Sequence, residues 1–544
     1  MSRREAWLTA GSLFLLALLI RIVAAAAVSF PVPEDTAYYA GVARNLVDGR
    51  GLVSDSLWSY QTPPLAAPRA AFEIWLPLPT FLAAIPMAIA GTANWFRAAQ
   101  VSSVLVSATI PVLAWRLAAD AAEERRLPLG RIRLLALGSG LVASLLGPLV
   151  LYGALPDSTA PFAALSLAAC LLMTRISAAP RGLHDWRLAA LGVVLGSAAL
   201  TRSEAVWLGL AWLAMAWFWT GGTRRQRAAL VALPAAIAVL LYVPWAIRDW
   251  QAFGTPMPGQ AVQNALYVTN MDVFSYSDPP TLARYLAQGP LEILQAHADG
   301  FGHDLFSVLL TQGFPIGLIG LLALPLVWRL RALRGLLLAG TLTFLVTSLA
   351  FPVSTLFGTF LHAAGAIYVL LAVSCLFGLD ALIVRIGRIR HWTRPVAWLG
   401  PTFAVVVAVP LAFISVSNIA ASSRDVQDRY QQLDAAMART TTPLQSSGPV
   451  IASFPVWVAE STRVPAIALP DESPASVLAL ARRFDSSLVV LDLTDDGRHW
   501  PAALADGSSA AACFVGVELT DNYGEAPAPG SALSEFRVFR IVCP

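Results

Sequence analysis

Lysine is absent from this 544-residue chain, so all 37 basic residues are arginine. That removes P-loop and Schiff-base chemistry, which need the lysine amine. Charge of either sign is scarce: charged residues make up 13% of the chain, against 57% hydrophobic ones. A soluble globule is excluded by that balance, and a polytopic membrane protein is what it describes. The net charge is only +3, and the arginines are scattered among apolar stretches rather than gathered on one face. Nothing there calls for a nucleic-acid partner. Cysteine is also sparse. Cys170 and Cys375 fall within apolar spans and read as packing residues, whereas Cys513 and Cys543 share the polar C-terminal region, where a disulfide between them is one option.

What the chain has is a succession of apolar segments. The first, about 6 to 28, follows Arg3 and Arg4 and is longer than a signal-peptide core, so it reads as a retained anchor with its N-terminus in the cytoplasm. The stretch PEDTAYYAGVARNLVDGRG (33–51) then lies outside. Its apolar residues Tyr38, Tyr39, Val42, Ala43 and Leu46 fall at 3/4 spacing, which predicts a short amphipathic helix capped by Asp35 and ended by Gly49 and Gly51. The segment 75–91 holds three prolines and is short, so it is read as interfacial or re-entrant.

With that segment not crossing, later spans fall at about 95–117, 134–152, 160–174, 188–200, 205–219, 228–247, 305–328, two spans flanking 351–362, and 395–417. This parity puts five arginine clusters on the cytoplasmic side: Arg116 to Arg133, Arg175 to Arg187, Arg224 to Arg227, Arg329 to Arg334, and Arg385 to Arg394. Counting 75–91 as a span would reverse all five. The expectation is an α-helical polytopic protein of about eleven transmembrane helices in the plasma (inner) membrane. Its transmembrane domain covers 1–419, with a first outer loop at 29–94 and a long outer loop at 248–304. Residues 420–544 are more polar. Strand-like runs at 449–454, 487–493, 513–519 and 536–542, and a helix-like run at 473–484, predict a small extracytoplasmic α/β domain linked through Thr440 to Gly448.

Sorted by side, Glu34, Asp35, Asp157, Arg202, Glu204, Arg248, Asp249 and His362 all meet the outer boundary. Ionisable groups gathered there suit a reaction joining a lipid-borne anionic donor to a polar acceptor. Each also has a structural reading. Asp35 can cap its helix, and a cap and a base can be the same residue. Glu34 would raise the proton affinity of its neighbour by like-charge repulsion. Asp157 is harder to explain as structure, because Ser158 or Thr159 can cap the following helix without it. Arg202 and Glu204 can pair with each other or leave Arg202 to a phosphate. His362 can be a buried hydrogen-bonding residue. His297, His303, Asp299 and Asp304 offer metal-ligand types at no recognised spacing.

Four stretches carry a family likeness: EDTAYYAGVARNLVDGRGL (34–52), WLPLPTFLAAIPMAIAGTANWFRAAQVSSVL (75–105), LTRSEAVWL (200–208) and PWAIRDWQAFGTPMP (244–258). In this order the sequence resembles the GT-C superfamily of polyprenyl-phosphate-sugar-dependent glycosyltransferases, which includes protein O-mannosyltransferases and aminoarabinose transferases. Ser203 stands where proline is common, Asp249 where asparagine is, and Glu34 precedes Asp35 where many members have an acid after it. The resemblance implies an inverting transfer of a sugar from a polyprenyl-phosphate donor to a hydroxyl of a glycan, lipid or protein acceptor on the outer face. It implies Asp35 as the catalytic base and Asp157 as the second acid. Glu34, Tyr39, Arg202, Glu204, Arg248 and His362 are then substrate-binding candidates, with Arg202 and His362 towards the lipid phosphate. No cofactor is certain; metal use differs within the superfamily, which leaves a divalent ion open. The competing classes are a lipid-linked-sugar flippase or other transporter, and a non-enzymatic membrane assembly protein.

Overall fold

A computed structural model describes residues 2–543 except Pro180, Arg181, Leu183, Gln260, Arg394, Pro395, Asp496 and Asn522. Arg181 and Arg394, two of the arginines expected on the cytoplasmic side, thus lie outside the described residues.

Most of the chain is helical. Among the described residues seven helices are long and apolar enough to cross a membrane: Arg3–Ala27, Trp95–Glu124, Thr159–Ala178, Arg224–Phe253, Arg331–Ala350, Gly365–Ile389 and Leu399–Met437. An eighth path is the pair Pro290–Thr311 and Ile316–Val327, bent by 105°. The remaining expected spans are also helical, at Leu129–Leu145, Trp186–Ala199 and Ala205–Phe218, but shorter. The proline-rich segment forms Leu78–Ala90, 13 residues. At 1.5 Å per residue that is about 20 Å, less than a bilayer core of about 30 Å.

Glu34–Val47 is the amphipathic helix expected from the 3/4 spacing, and Gly49 and Gly51 end it at φ 81° and 82°. Its start differs from expectation. The cap position is Pro33, no side chain caps the helix, and Asp35 lies inside the first turn. Proline supplies a preset φ and needs no N–H there, so the helix begins two residues early and the Asp35 carboxylate is left for other partners.

The C-terminal region forms a six-stranded sheet in the order Ser56–Leu57, Ala466–Ala468, Val450–Ala452, Leu488–Asp492, Phe536–Ile541, Phe514–Val517. The first three pairings are parallel and the last two antiparallel. All four expected strands and the helix Pro474–Phe484 are present. The edge strand Ser56–Leu57 comes from the first loop, which ties that loop to the sheet through Ser56↔Ala466 and Leu57↔Ile467. Leu399–Met437 is continuous for 39 residues, about 58 Å. Its far end buries Val426, Tyr430, Leu433 and Met437 against the sheet, and Arg429 forks onto buried Asp492 at 2.8 and 2.9 Å. Cys513 and Cys543 are joined as a disulfide that pins the last two strands, while Cys170 and Cys375 are buried and free.

Candidate active site

Three segments bring their polar ends together beneath the sheet. Glu34–Val47 presents Asp35 on its first turn. The turn before Thr159–Ala178 presents Asp157, and the short helix Thr359–Ala363 presents His362. His362 lies between the carboxylates, with Nε2 3.5 Å from Asp35 Oδ2 and Nδ1 3.2 Å from Asp157 Oδ1. One ligand atom from each residue falls within 4.8 Å of the others, a group that can hold a metal ion.

Asp157 is fully buried. Its Oδ1 accepts from the Thr159 N–H at 2.7 Å and from the Thr159 hydroxyl at 2.5 Å. The sequence leaves Asp157 hard to explain as structure because Ser158 or Thr159 can cap the helix; here the Asp157 carboxylate itself satisfies the open N–H and the Ser158 side chain makes no capping bond, so Asp157 has a structural role as well. Its other oxygen, Oδ2, is buried with no hydrogen-bond partner among the described residues. A buried carboxylate with one open oxygen beside a second carboxylate and an imidazole is a donor set suited to a divalent cation.

The charges are mutually supporting. Burial raises the Asp35 carboxyl above its ordinary range, with His362 pulling it back and Asp157 adding to the rise. Burial also works to raise Asp157, but His362 and the Thr159 donors outweigh it and hold that carboxyl low. Burial opposes a proton on His362, yet Asp157 and Asp35 hold it there, so its pKa is raised. The site therefore contains one carboxyl held low, one raised, and between them an imidazole whose proton affinity both carboxylates increase.

Arg202 stands beside this group. Nη1 donates to Ser158 Oγ at 3.0 Å, Nε and Nη2 donate to Glu204 at 3.2 and 2.7 Å, and Nη2 reaches the Thr359 carbonyl at 3.0 Å. Among the described residues that occupies four of the five guanidinium N–H groups and leaves one for a ligand. Tyr39 is buried and packs against Ser158, close to both acids.

Two expected residues point elsewhere. Arg248 Nη1 donates to the Ala71 carbonyl at 2.7 Å and to Asp249 at 2.9 Å, with the guanidinium over Trp245; it fastens the backbone of the first loop. Glu34 turns towards the C-terminal domain, accepting from Trp58 Nε1 at 3.4 Å and from the Val456 N–H at 3.2 Å. Its expected repulsion with Asp35 is a minor influence. Burial comes first and pushes its carboxyl up to about 8. A carboxyl raised above its unfolded value near 4.5 contributes stability that is full below that pH and lost as pH rises through about 8. Melting temperatures of wild type and Glu34→Gln across pH 5 to 9 should therefore differ in slope, with the variant the flatter. Parallel curves would remove Glu34 from the pH response.

Sequence reasoning missed Trp75, whose side chain lies beside Asp35, and Tyr152, whose ring packs edge-on to His362 at 5.1 Å. Neither sits in a pattern that announces it. Trp75 reaches Asp35 because the segment folds back, stacking Trp75 on Tyr38 at 4.0 Å. Of the residues considered as a second metal group, His303 pairs with Asp304 at 3.2 Å, Asp304 is bonded by Ser348 and Thr355, and His297 meets Tyr285.

A helical membrane bundle whose loop acids and long loops meet under an α/β domain is the GT-C fold. Solved structures of similar shape make this concrete. The archaeal oligosaccharyltransferase AglB from Archaeoglobus fulgidus, in complex with an inhibitory peptide and a dolichol-phosphate, matches with TM-score 0.53 at 13% identity over 98% of this chain and 75% of its own. The same organism's oligosaccharyltransferase in complex with Zn and sulfate matches with TM-score 0.54 at 13% identity, over 95% and 72%. ArnT from Cupriavidus metallidurans bound to undecaprenyl phosphate matches with TM-score 0.52 at 14% identity, over 97% of each chain. No protein-family model matches the sequence, and no curated protein matches it.

Proposed function

We propose that this chain is an inverting glycosyltransferase of the plasma membrane, which moves a hexosyl or pentosyl group from a polyprenyl-phosphate carrier to an acceptor hydroxyl on the outer face. The observation that carries the reading is the meeting of Asp35, Asp157 and His362 within 4.8 Å, with Arg202 alongside. The glycosyltransferase-fold neighbours bound to dolichol-phosphate and undecaprenyl phosphate support the donor class.

In this reading the acceptor oxygen bonds to the anomeric carbon as the bond from that carbon to the phosphate oxygen breaks. The acceptor proton passes to Asp35, which is the more basic of the two acids. Asp157, whose carboxyl is held low, orients His362 through the 3.2 Å contact with Nδ1. Polyprenyl phosphate leaves with the bonding pair, and the open N–H of Arg202 meets its growing charge. A divalent ion, if one binds, would be held by Asp35, Asp157 and the neutral form of His362, and would supply further charge stabilisation at the leaving phosphate. Glu204 keeps the Arg202 fork in place, Tyr39 walls the site, and Trp75 holds Asp35 in orientation.

The test is to incubate the purified protein, in lipid nanodiscs, with a set of polyprenyl-phosphate sugars and follow release of polyprenyl phosphate. Release with at least one donor is expected; none with any donor would overturn the reading. Arg202→Gln should raise the donor KM about tenfold or more, the loss of one charge-assisted contact. An unchanged KM would take Arg202 out of phosphate binding.

A further inference from the structure

The end of the helical bundle opposite Asp35 carries a site of a different kind. Gly365–Ile389 starts against the active-site segment, where a Cβ added to Gly365 would lie 2.6 Å from Ala163 and 3.5 Å from the Thr159 carbonyl. Its last turns are roughly 30 Å away along the axis, the thickness of a bilayer core. There a cavity of about 590 Å³ opens between those turns, the start of Leu129–Leu145 and the turn that leads into Leu399–Met437. Trp392 and Trp398 of that turn are exposed, and tryptophan is the residue that settles at a membrane boundary.

The cavity has both polar and apolar walls. Arg131 forks onto Asp380, with Nε donating to Oδ1 at 3.1 Å and Nη2 to Oδ2, so both carboxylate oxygens are engaged. Among the described residues, Arg131 Nη1 and the whole guanidinium of Arg388 donate to no protein atom. The charges lining the cavity are thus two arginines against one aspartate, with one positive charge in excess when His391 is neutral. Ile383, Val384 and Val396 supply apolar wall. The rim follows from how the helix ends. The Trp392 N–H bonds the Gly387 carbonyl at 2.9 Å and the His391 N–H bonds that of Arg388 at 3.3 Å, the pair of bonds that stops a helix on a residue of positive φ. That residue is His391, at φ 51°. The reversal lays the Trp392 ring on Gly387, where an added Cβ would lie 3.2 Å from Cε3.

We infer that this cavity binds one anionic phospholipid of the adjoining leaflet, with the phosphodiester at Arg388 and Arg131 Nη1 and the glycerol and first acyl carbons along Ile383, Val384 and Val396. A phosphodiester carries a single negative charge, which matches the excess of one positive charge. Its oxygens only accept, which suits guanidinium N–H groups that have no protein acceptor. An ion without chains leaves the apolar walls uncovered, and a zwitterionic headgroup brings its own ammonium beside Arg388. The bound lipid touches three helices, Leu129–Leu145, Gly365–Ile389 and, through the turn before it, Leu399–Met437, and so stabilises the bundle. The site depends on membrane embedding and not on glycosyl transfer, so it stands or falls apart from the proposed reaction.

The experiment is native mass spectrometry of the full chain in non-ionic detergent, with phosphatidylglycerol, phosphatidylcholine and inorganic phosphate as probes and melting temperature as a second readout. Wild type should hold one phosphatidylglycerol at least about tenfold more tightly than phosphatidylcholine, and excess phosphate should not displace it. Arg388→Gln should weaken phosphatidylglycerol binding about tenfold, the loss of one charge-assisted contact, while Arg388→Lys keeps most of the affinity. Arg388 is exposed, so the lipid-free melting temperature should be the same in both variants. Phosphatidylglycerol should raise the melting temperature of wild type and Arg388→Lys but not of Arg388→Gln. Arg390→Gln, exposed and outside the cavity, should bind as wild type does. Equal affinity for the two lipids, or unaltered binding in Arg388→Gln, would overturn the site. Equal weakening by Arg390→Gln would replace it with a diffuse basic surface, and displacement by phosphate with a site for a free anion; either result overturns the proposal.

Discussion

Asp35→Asn should lower release of polyprenyl phosphate by about 10³-fold, within the range of 10² to 10⁴ typical of a lost general base. The variant keeps the size of the side chain and an oxygen that can accept from Trp75, so the geometry of the first loop should persist. What it loses is the proton acceptor and the negative charge 3.5 Å from His362 Nε2. The change should not cost stability. Asp35 is not a cap, since Pro33 holds that position, and burial already works against its charge. A drop in turnover with donor affinity and melting temperature unchanged would therefore report on chemistry. Single-turnover release, measured with saturating donor, is the decisive readout. An unimpaired variant would sink the mechanism and return the transport and assembly classes to first place.

Glu460→Ala should open the contact between the first loop and the C-terminal domain, at a cost of about 3 kcal/mol. Arg44 and Glu460 are paired at 2.6 Å with side chains 7% and 4% exposed, and Gly41 lets the two helices approach so closely that an added Cβ would lie 3.2 Å from Glu460 Oε2. Burial pushes Glu460 up to about 8 while Arg44 pulls against it, and the 2.6 Å contact is that of an ionised pair. Removing the carboxylate leaves Arg44 buried with only its stack on Trp95. Hydrogen exchange should then rise in Pro455–Thr462 and in Glu34–Val47 together, because Glu34 and Arg44 grip the same helix at two points. Replacing both partners by leucine should recover most of the loss, since a well-packed apolar pair carries no stranded charge. Exchange unchanged in Glu460→Ala would mean that other contacts hold the domain.

Much of this protein was settled locally. Mean hydropathy of +0.63 and the spacing of apolar runs place the helices, because partition between water and lipid depends on composition over about 20 residues. Period-2 runs place four strands of the sheet, and the 3/4 pattern with its glycines places Glu34–Val47. Asp35, Asp157, Arg202 and His362 could be nominated because an ionisable group beside an apolar span is rarely idle. The strand Ser56–Leu57 was hidden, since two residues carry no periodic signal and extend the sheet only because the first loop is brought to its edge. Packing alone decided which nominees meet. His362 reaches Asp157 across 205 residues of sequence, while Glu34, adjacent to Asp35, turns the opposite way to accept from Val456. Successive residues on a helix point about 100° apart, so two adjacent acids cannot both face one site. Which of them does is set by the neighbours that the whole bundle and the sheet put there.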